Sequence, residues 1–386
     1  MLRILRHAQV FSPAPLGKRD LVVAAGRIVW LGESLPAIDS KLIEEEVDLA
    51  GALVIPGLVD CHVHLTGGGG ESGPASKVPA PPLSTFTRAG TTSVVGVLGT
   101  DDLTRSTASL LTATRGLVEE GLSAWCLTGG YHVPPTTLTG SVREDIVHID
   151  RIIGVGEVAI SDHRSSQPTL DELLRLAADA HVAGLMTGKA GILHLHLGDG
   201  ERGLDLVRQG LETSEIPPRV FHPTHVNRRR ELFAEALELV GRGCTIDVTA
   251  FPEDEDEDAL SAVDAIESFW QSEFPKERLT VSSDAGGSLP VFDGDGRVAR
   301  MEVGQSSTLW ATIRSLLERE HALDKVLPPF TSNVADLLRF PRKGRIETGA
   351  DADLIVLDDR NAIRDVMAGG NWHLRQGQVA IRGTFE

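Results

Sequence analysis

The stretch LVIPGLVDCHVHL, residues 53–65, decides the fold. It is a nearly continuous apolar run, as expected of a strand buried on both faces. It ends in His62-Val63-His64. In a strand, residues two apart point to one face, about 7 Å apart at Cα. Both imidazoles can therefore reach one metal ion. Downstream, apolar runs over residues 91–100, 124–131, 151–161, 192–198, 220–226, 245–251 and 279–284 alternate with helix-like segments such as 106–121, 170–185, 228–241 and 262–274. With the run ending at Leu65, that makes eight strands alternating with helices. Such alternation predicts a parallel sheet, and eight units predict a closed (β/α)8 barrel of the TIM type.

Active sites of such barrels sit at the C-terminal ends of the strands. One later strand ends in His194-Leu195-His196, the next in Thr224-His225, and the last in Ser282-Ser283-Asp284. Four strands thus deliver His or Asp to one rim. Imidazole and carboxylate ligands suit a zinc-class ion. They outnumber what one catalytic zinc needs, which points to a two-metal site. His194 shares the face of His196 one layer deeper and is expected in the core or behind the ligands. His222, three residues before His225, is expected to face the other way and to be structural.

The flanks of the barrel read differently. Residues 2–7, 20–25 and 27–31 are short strand-like pieces. After a last helical region over residues 306–340, strand-like sequence returns at residues 353–358 (DLIVLD) and 372–381. A small β-sandwich built from both termini is expected, with residues 1–52 and 343–386 flanking a barrel over residues 53–342. The 386 residues, 41% hydrophobic and 24% charged, suit a soluble globular protein. The 37 Lys and Arg against 55 Asp and Glu give a net charge of −18, which argues against a nucleic-acid or anionic-membrane partner. No signal peptide and no membrane span are expected. Cys61, Cys126 and Cys244 are scattered and odd in number, so a disulfide scaffold is not expected and a reducing cytoplasm is. The acidic run EDEDED, residues 253–258, reads as a solvated loop, since it lacks the spacing and turn glycine of a calcium loop.

Motifs along nearly the whole chain then carry a resemblance. HVHL is followed by GGGGE (67–71), TSVVGVLGTD (92–101), TGGYHVP (128–134), SDHRS (161–165), PTHVNR (223–228) and SSDAGGS (282–288). Together they resemble the isoaspartyl dipeptidases, binuclear zinc enzymes of the amidohydrolase superfamily. The terminal pieces AGRIVWLG (25–32) and TGADADLIVLD (348–358) resemble that superfamily's β-sandwich. The resemblance implies that His62, His64 and Asp284 hold a buried ion and that His196 and His225 hold a more exposed one. It implies two Zn2+ or similar divalent ions bridged by a hydroxide that cleaves the isopeptide bond of β-aspartyl dipeptides. Asp284 would accept the proton and pass it to the leaving amine. Tyr131, the only tyrosine in the chain, falls on a family motif and would donate a hydrogen bond to the oxyanion.

The implied substrate carries one ammonium and two carboxylates. Glu71 is the candidate ammonium partner, and Arg164 and Arg228 are candidate carboxylate forks. Gly69, within the glycine run, would let the backbone approach the ligand. Thr100 and Ser288 are further hydrogen-bonding candidates, while Arg229 and Arg230 are expected to be solvated.

One position departs from the family pattern. The family usually carries a lysine, carboxylated by CO2 to bridge the metals, four residues before the Ser of SDHR. Here that residue is Glu157, in IGVGEVAISDHR. Its carboxylate is ready-made but shorter. Compared with the family pattern, the strand also holds one extra residue in Gly154-Val155-Gly156, and a glycine-containing bulge would carry the backbone inward. The alternative is a surface Glu157 and a lost bridge. Two other functions remain open: hydrolysis of a cyclic amide or N-acyl amino acid, or a non-catalytic barrel scaffold, which the retained rim residues disfavour. The expected partners are a small dipeptide substrate and further copies of the chain in a homo-oligomer, with no nucleic acid and no membrane.

Overall fold

Gly57 divides the deciding run in two. The computed structural model describes residues 1–251, 258–292 and 298–386. A Cβ at Gly57 would lie 2.2 Å from the Thr92 hydroxyl oxygen, so the chain can pass there only without a side chain. Pro56 before it has no N–H with which to continue a ladder. The single strand expected over residues 53–65 is therefore two, Leu53–Pro56 and Leu58–Val63, in different sheets.

Five strands come first: β1 (Leu2–Phe11), β2 (Pro15–Ala24), β3 (Arg27–Gly32), β4 (Ile43–Asp48) and β5 (Leu53–Pro56). Eight parallel strands follow: β6 (Leu58–Val63), β7 (Thr91–Gly96), β8 (Ser123–Thr128), β9 (Ile152–Ile160), β10 (Leu193–Leu197), β11 (Phe221–Thr224), β12 (Ile246–Thr249) and β13 (Leu279–Ser282). A hairpin, β14 (Ser288–Phe292) and β15 (Val298–Val303), precedes β16 (Leu354–Leu357), β17 (Ile363–Ala368), β18 (Asn371–Arg375) and β19 (Gln378–Val379).

Strands β6 to β11 pair side by side in chain order, and β12 pairs with β13 in parallel. The circle closes where Val63 bridges Ala285 and the His64 N–H donates to the Ala285 carbonyl at 2.8 Å. Between β11 and β12 side chains make the link: the Thr224 hydroxyl donates to Asp247 at 2.7 Å, and the Thr249 N–H donates to Asn227 at 2.9 Å. The expected (β/α)8 barrel is present. Its strands are shorter than the apolar runs suggest, because the residues at their C-terminal ends leave the ladder to form the rim.

Helices α1 (Leu83–Arg88), α2 (Thr107–Glu119), α3 (Val142–His148), α4 (Leu170–Thr187), α5 (Asp205–Thr213), α6 (Arg230–Gly241), α7 (Ala262–Gln271) and α8 (Ser307–Glu318) lie between and after the barrel strands. The start of α4 shows why: Thr169 caps the Glu172 N–H while the Glu172 carboxylate accepts from the Thr169 N–H. The helical region expected over residues 306–340 is interrupted: after α8 come two short helices, Leu323–Val326 and Ser332–Leu337, separated at Pro328 and Pro329, which cannot continue a helix.

Both chain ends meet in one nine-stranded sheet, ordered β19-β18-β17-β16-β5-β1-β2-β3 with β4 paired to β1. It has its own apolar core, with Leu5, Val10, Leu21, Val54, Leu354 and Met367 among its members. Lys343 fastens the C-terminal segment to the barrel: its ammonium meets Asp353 at 2.6 Å, Asp351 at 2.9 Å and the Ser123 hydroxyl of β8 at 2.6 Å. Strands β4, β14, β15 and β17 were not expected. The three cysteines are free and buried. Residues 253–257 of the acidic run lie outside the described residues. Among the described residues, no helix is long and apolar enough to cross a membrane.

Candidate metal centre

Strand β9 carries one residue too many for its neighbours. Against β8 the pairing runs Cys126↔Ile152 and then Thr128↔Val155. Against β10 it runs Leu193↔Val155 and then Leu195↔Val158. The expected irregularity is thus present. Gly156 makes it possible: its φ is +139°, and a Cβ there would lie 2.4 Å from the His194 carbonyl oxygen. Directly after it, Glu157 is only 1% exposed, so it is not a surface residue.

Four imidazoles surround that carboxylate. Glu157 Oε2 lies 3.1 Å from His196 Nδ1, 3.4 Å from His62 Nε2 and 3.7 Å from His225 Nε2, and Oε1 lies 3.4 Å from His64 Nε2. Asp284 completes the group, with Oδ1 3.1 Å from His64 Nε2 and 3.5 Å from His62 Nε2. Ligand-type atoms of His62, His64 and Asp284 all fall within 4.8 Å of one another, as do those of His62, Glu157 and His225. The six residues read from the sequence as metal ligands therefore meet in one place.

The chemistry of the cluster fits cations. Among the described residues, His62 Nε2, Glu157 Oε1 and Asp284 Oδ1 are buried without hydrogen-bond partners. Burial favours a neutral Glu157, yet His62 and the other imidazoles hold its carboxyl well below the usual range. Burial likewise opposes charge on Asp284, but His62 and His64 hold its carboxyl low. Burial opposes charge on His62, but Glu157 and Asp284 raise its pKa well above the usual value, so without a bound cation the balancing positive charge sits on that imidazole; a cation at the cluster would take over that role and leave it neutral. Burial lowers His225 to about 3, so it is neutral and keeps a lone pair. Its Nδ1 meets the Thr249 hydroxyl at 2.7 Å, which leaves Nε2 for the cluster.

The positions of His222 and His225 correct one expectation. Alternation along a strand would put them on opposite faces. His225 instead has φ 61° and ψ 25°, outside the strand, so its ring turns back beside His62. His222 also points into the barrel and meets His194 at 2.9 Å.

Tyr131 stands against the cluster, its hydroxyl 2.9 Å from His196 Nδ1. Burial first, and Glu157 next, push the phenol well above its ordinary pKa, so it remains a donor. Glu71 accepts from the Ser288 hydroxyl at 2.6 Å through Oε1, and its buried Oε2 has no partner among the described residues. Thr100 shares a cleft of about 240 Å3 with Glu71, Gly70 and Asp101. The Gly69 carbonyl accepts from Arg105 at 3.3 Å. Arg228 lies over the Phe251 ring at 5.3 Å, and its buried Nε has no acceptor among the described residues. Arg229, expected to be solvated, is half-buried and donates to the Gly200 carbonyl at 2.8 Å.

Arg164 is less free than the sequence suggests. Asp162 takes its Nε at 3.0 Å and its Nη2 at 2.7 Å, which leaves Nη1 as the open edge. The same carboxylate meets His196 Nε2 at 3.0 Å. One acid thus ties a rim arginine to a cluster histidine. Asp162 is not among the residues that the sequence singles out, although it stands two residues before Arg164 in the same motif. Asp102 was missed as well: it meets His132 Nδ1 at 2.9 Å, next to Tyr131.

The model of the amidohydrolase family matches residues 53–373. A crystal structure of a β-aspartyl dipeptidase from the thermophilic, keratin-degrading Fervidobacterium islandicum AW-1, in complex with a β-Asp-Leu dipeptide, is 42% identical with a TM-score of 0.91, covering 98% of each chain. Dihydropyrimidinase from Brevibacillus agri NCHU1002 shares the fold, with a TM-score of 0.69 at 16% identity over 99% of this chain and 97% of that one. The imidazolonepropionase of Acidiphilium cryptum (strain JF-5) is 36% identical over 137 residues, 33% of this chain, and the chain spans only 32% of that relative's length. The chain belongs to the amidohydrolase family of metal-dependent hydrolases.

Proposed function

We propose that this protein hydrolyses the isopeptide bond of β-aspartyl dipeptides with two divalent ions, zinc or a similar metal. The observation that carries the reading is the convergence of His62, His64, Glu157, His196, His225 and Asp284 on one buried point, with Glu157 among all four imidazoles. The dipeptide held by the 42% identical relative supports the substrate class. His62, His64 and Asp284 would hold one ion, His196 and His225 the other, and Glu157 would serve both. Bound there, the ions lower the pKa of water and polarise the scissile carbonyl.

The chain's own groups do the rest. The unpartnered Glu71 Oε2 receives the substrate ammonium. Arg164 through its open edge, and Arg228 through its unpartnered Nε, receive the two carboxylates. The Gly69 backbone, Thr100 and Ser288 line the approach. Water adds to the side-chain carbonyl carbon and gives its proton to the Asp284 carboxylate. The Tyr131 hydroxyl donates to the oxyanion as it forms. Asp284 returns the proton to the amine, the C–N bond breaks, and aspartate and a free amino acid leave. Purified protein, assayed for bound metal, should cleave β-Asp-Leu far faster than hydantoin or dihydroorotate. Turnover confined to the cyclic amides would replace this reading with a cyclic amidohydrolase.

A further inference from the structure

Beneath the cluster, a line of buried hydrogen bonds crosses the barrel interior. His62 Nδ1 meets His194 Nε2 at 2.8 Å. His194 Nδ1 meets His222 Nδ1 at 2.9 Å. His222 Nε2 meets the Thr280 hydroxyl at 3.1 Å, and that hydroxyl donates to Asp247 Oδ1 at 2.6 Å. All five residues are 0% exposed. None of the last four belongs to the cluster above, although Cys61, His222 and Asp247 do place ligand-type atoms within 4.8 Å of one another.

The line has a sense of direction. Asp247 is an acceptor on every side: Cys61 and Thr280 donate to Oδ1, and Thr224 and Ser282 donate to Oδ2. The Thr280 hydrogen is committed there, since its other acceptor, the Ile246 carbonyl, lies at 3.3 Å. The Thr280 oxygen must then accept from His222, which places the proton on His222 Nε2 and a lone pair on Nδ1. Burial holds His222 neutral, with its pKa lowered to about 4, so the ring carries one proton only. Its lone pair accepts from His194 Nδ1–H, and the lone pair left on His194 Nε2 accepts from His62 Nδ1–H. Once a bound cation replaces the second proton of His62, its lone pair is on Nε2, the nitrogen that faces Glu157 and Asp284.

We infer that Asp247 and Thr280 are positioning residues that fix the tautomer of His62 through His194 and His222, so that Nε2 is presented as a ligand. The inference rests on the proposed metal centre for its purpose. Its geometry stands without it. Partners behind ligating histidines are typically worth 10–100-fold in metal affinity.

The test uses the full chain, loaded with zinc, as wild type, Thr280→Ser and Thr280→Val. Histidine-selective 15N spectra should show His222 protonated at Nε2 and His194 at Nδ1 in wild type and Thr280→Ser. Thr280→Val, which neither accepts nor donates, should redistribute both tautomers and lose about 10–100-fold in zinc affinity by chelator competition. Thr280→Ser should retain the wild-type affinity. Wild-type spectra with His194 protonated at Nε2 overturn the inference, even if no variant folds. A Thr280→Val protein with unchanged tautomers and zinc affinity overturns it as well. A wild-type chain that binds no zinc yet shows the expected tautomers supports the relay and rejects the metal reading.

Discussion

Replacing Glu157 by Gln removes one charge from the middle of the cluster and almost nothing else. Its oxygens lie 3.1–3.7 Å from nitrogens of four histidines. Opposite unit charges about 4 Å apart attract by roughly 4 kcal/mol at an effective dielectric of 20. Losing that attraction lowers ion affinity by about three powers of ten, at 1.4 kcal/mol per tenfold. The assay strips the metals with chelator and rebuilds wild type, Glu157→Gln and Glu157→Lys with zinc, with and without bicarbonate. Wild type should recover full zinc and activity without bicarbonate, because its carboxylate is covalent. Glu157→Gln should bind zinc about 10³-fold more weakly in either condition. Glu157→Lys should not restore a family-like bridge, since the longer side chain starts from a backbone already committed at Gly156, where no Cβ fits. Bicarbonate-dependent recovery of wild type would refute the reasoning, because a lysine would then be supplying the bridge. So would two zinc ions bound by Glu157→Gln with unchanged affinity.

The other predictions probe the proton, the substrate grip and the seam. Asp284→Asn should cut turnover by about 10²–10⁴-fold, and near-normal turnover with metals bound would assign the proton to another group. Arg164→Met and Arg228→Met should each raise KM for β-Asp-Leu with zinc content unchanged, by roughly 1.5–3 kcal/mol per lost charge-assisted bond; wild-type efficiency in both would remove these arginines from the site. Asp162→Asn should weaken substrate binding and zinc retention together, since Asp162 holds both Arg164 and His196; an effect on one alone would separate the two arms. Lys343→Met should destabilise the fold by about 3–5 kcal/mol, because it leaves Asp353 buried without its cation. Burial opposes the Lys343 charge, but Asp353 and Asp351 raise its pKa above 10.5. That contribution is therefore complete below 10.5 and lost only as pH rises through the higher folded value. The melting-temperature deficit of the mutant should accordingly be constant from about pH 6 to 9, measured by thermal unfolding.

The barrel was legible because burial on both faces leaves an unmistakable apolar run, and because histidines two apart at the ends of such runs aim at one spot. The Glu157 bulge was legible only through the family resemblance, against which the strand holds one extra residue, with its two glycines supplying the means. Four features were not. The break at Gly57 was passed over because β5 and β6 are both largely apolar and read as one run, although Pro56-Gly57 between them is a turn signal. The line from His62 to Asp247 was hidden because it joins residues from five strands, and His225 leaves the two-residue alternation through a positive φ. Asp162 was overlooked because an acid beside an arginine reads as ordinary surface charge until the fold turns both toward His196. Strand β4, IEEEVD, was masked as a polar stretch, since it only edges β1.

Titrating activity with zinc tests the two-metal hydrolase most directly. Stripped protein receives zinc in stepwise equivalents while hydrolysis of β-Asp-Leu and bound metal are followed together. Activity should rise until two ions are bound per chain and then stay constant. Full activity at one ion per chain, or none with two ions bound, would contradict a two-metal mechanism.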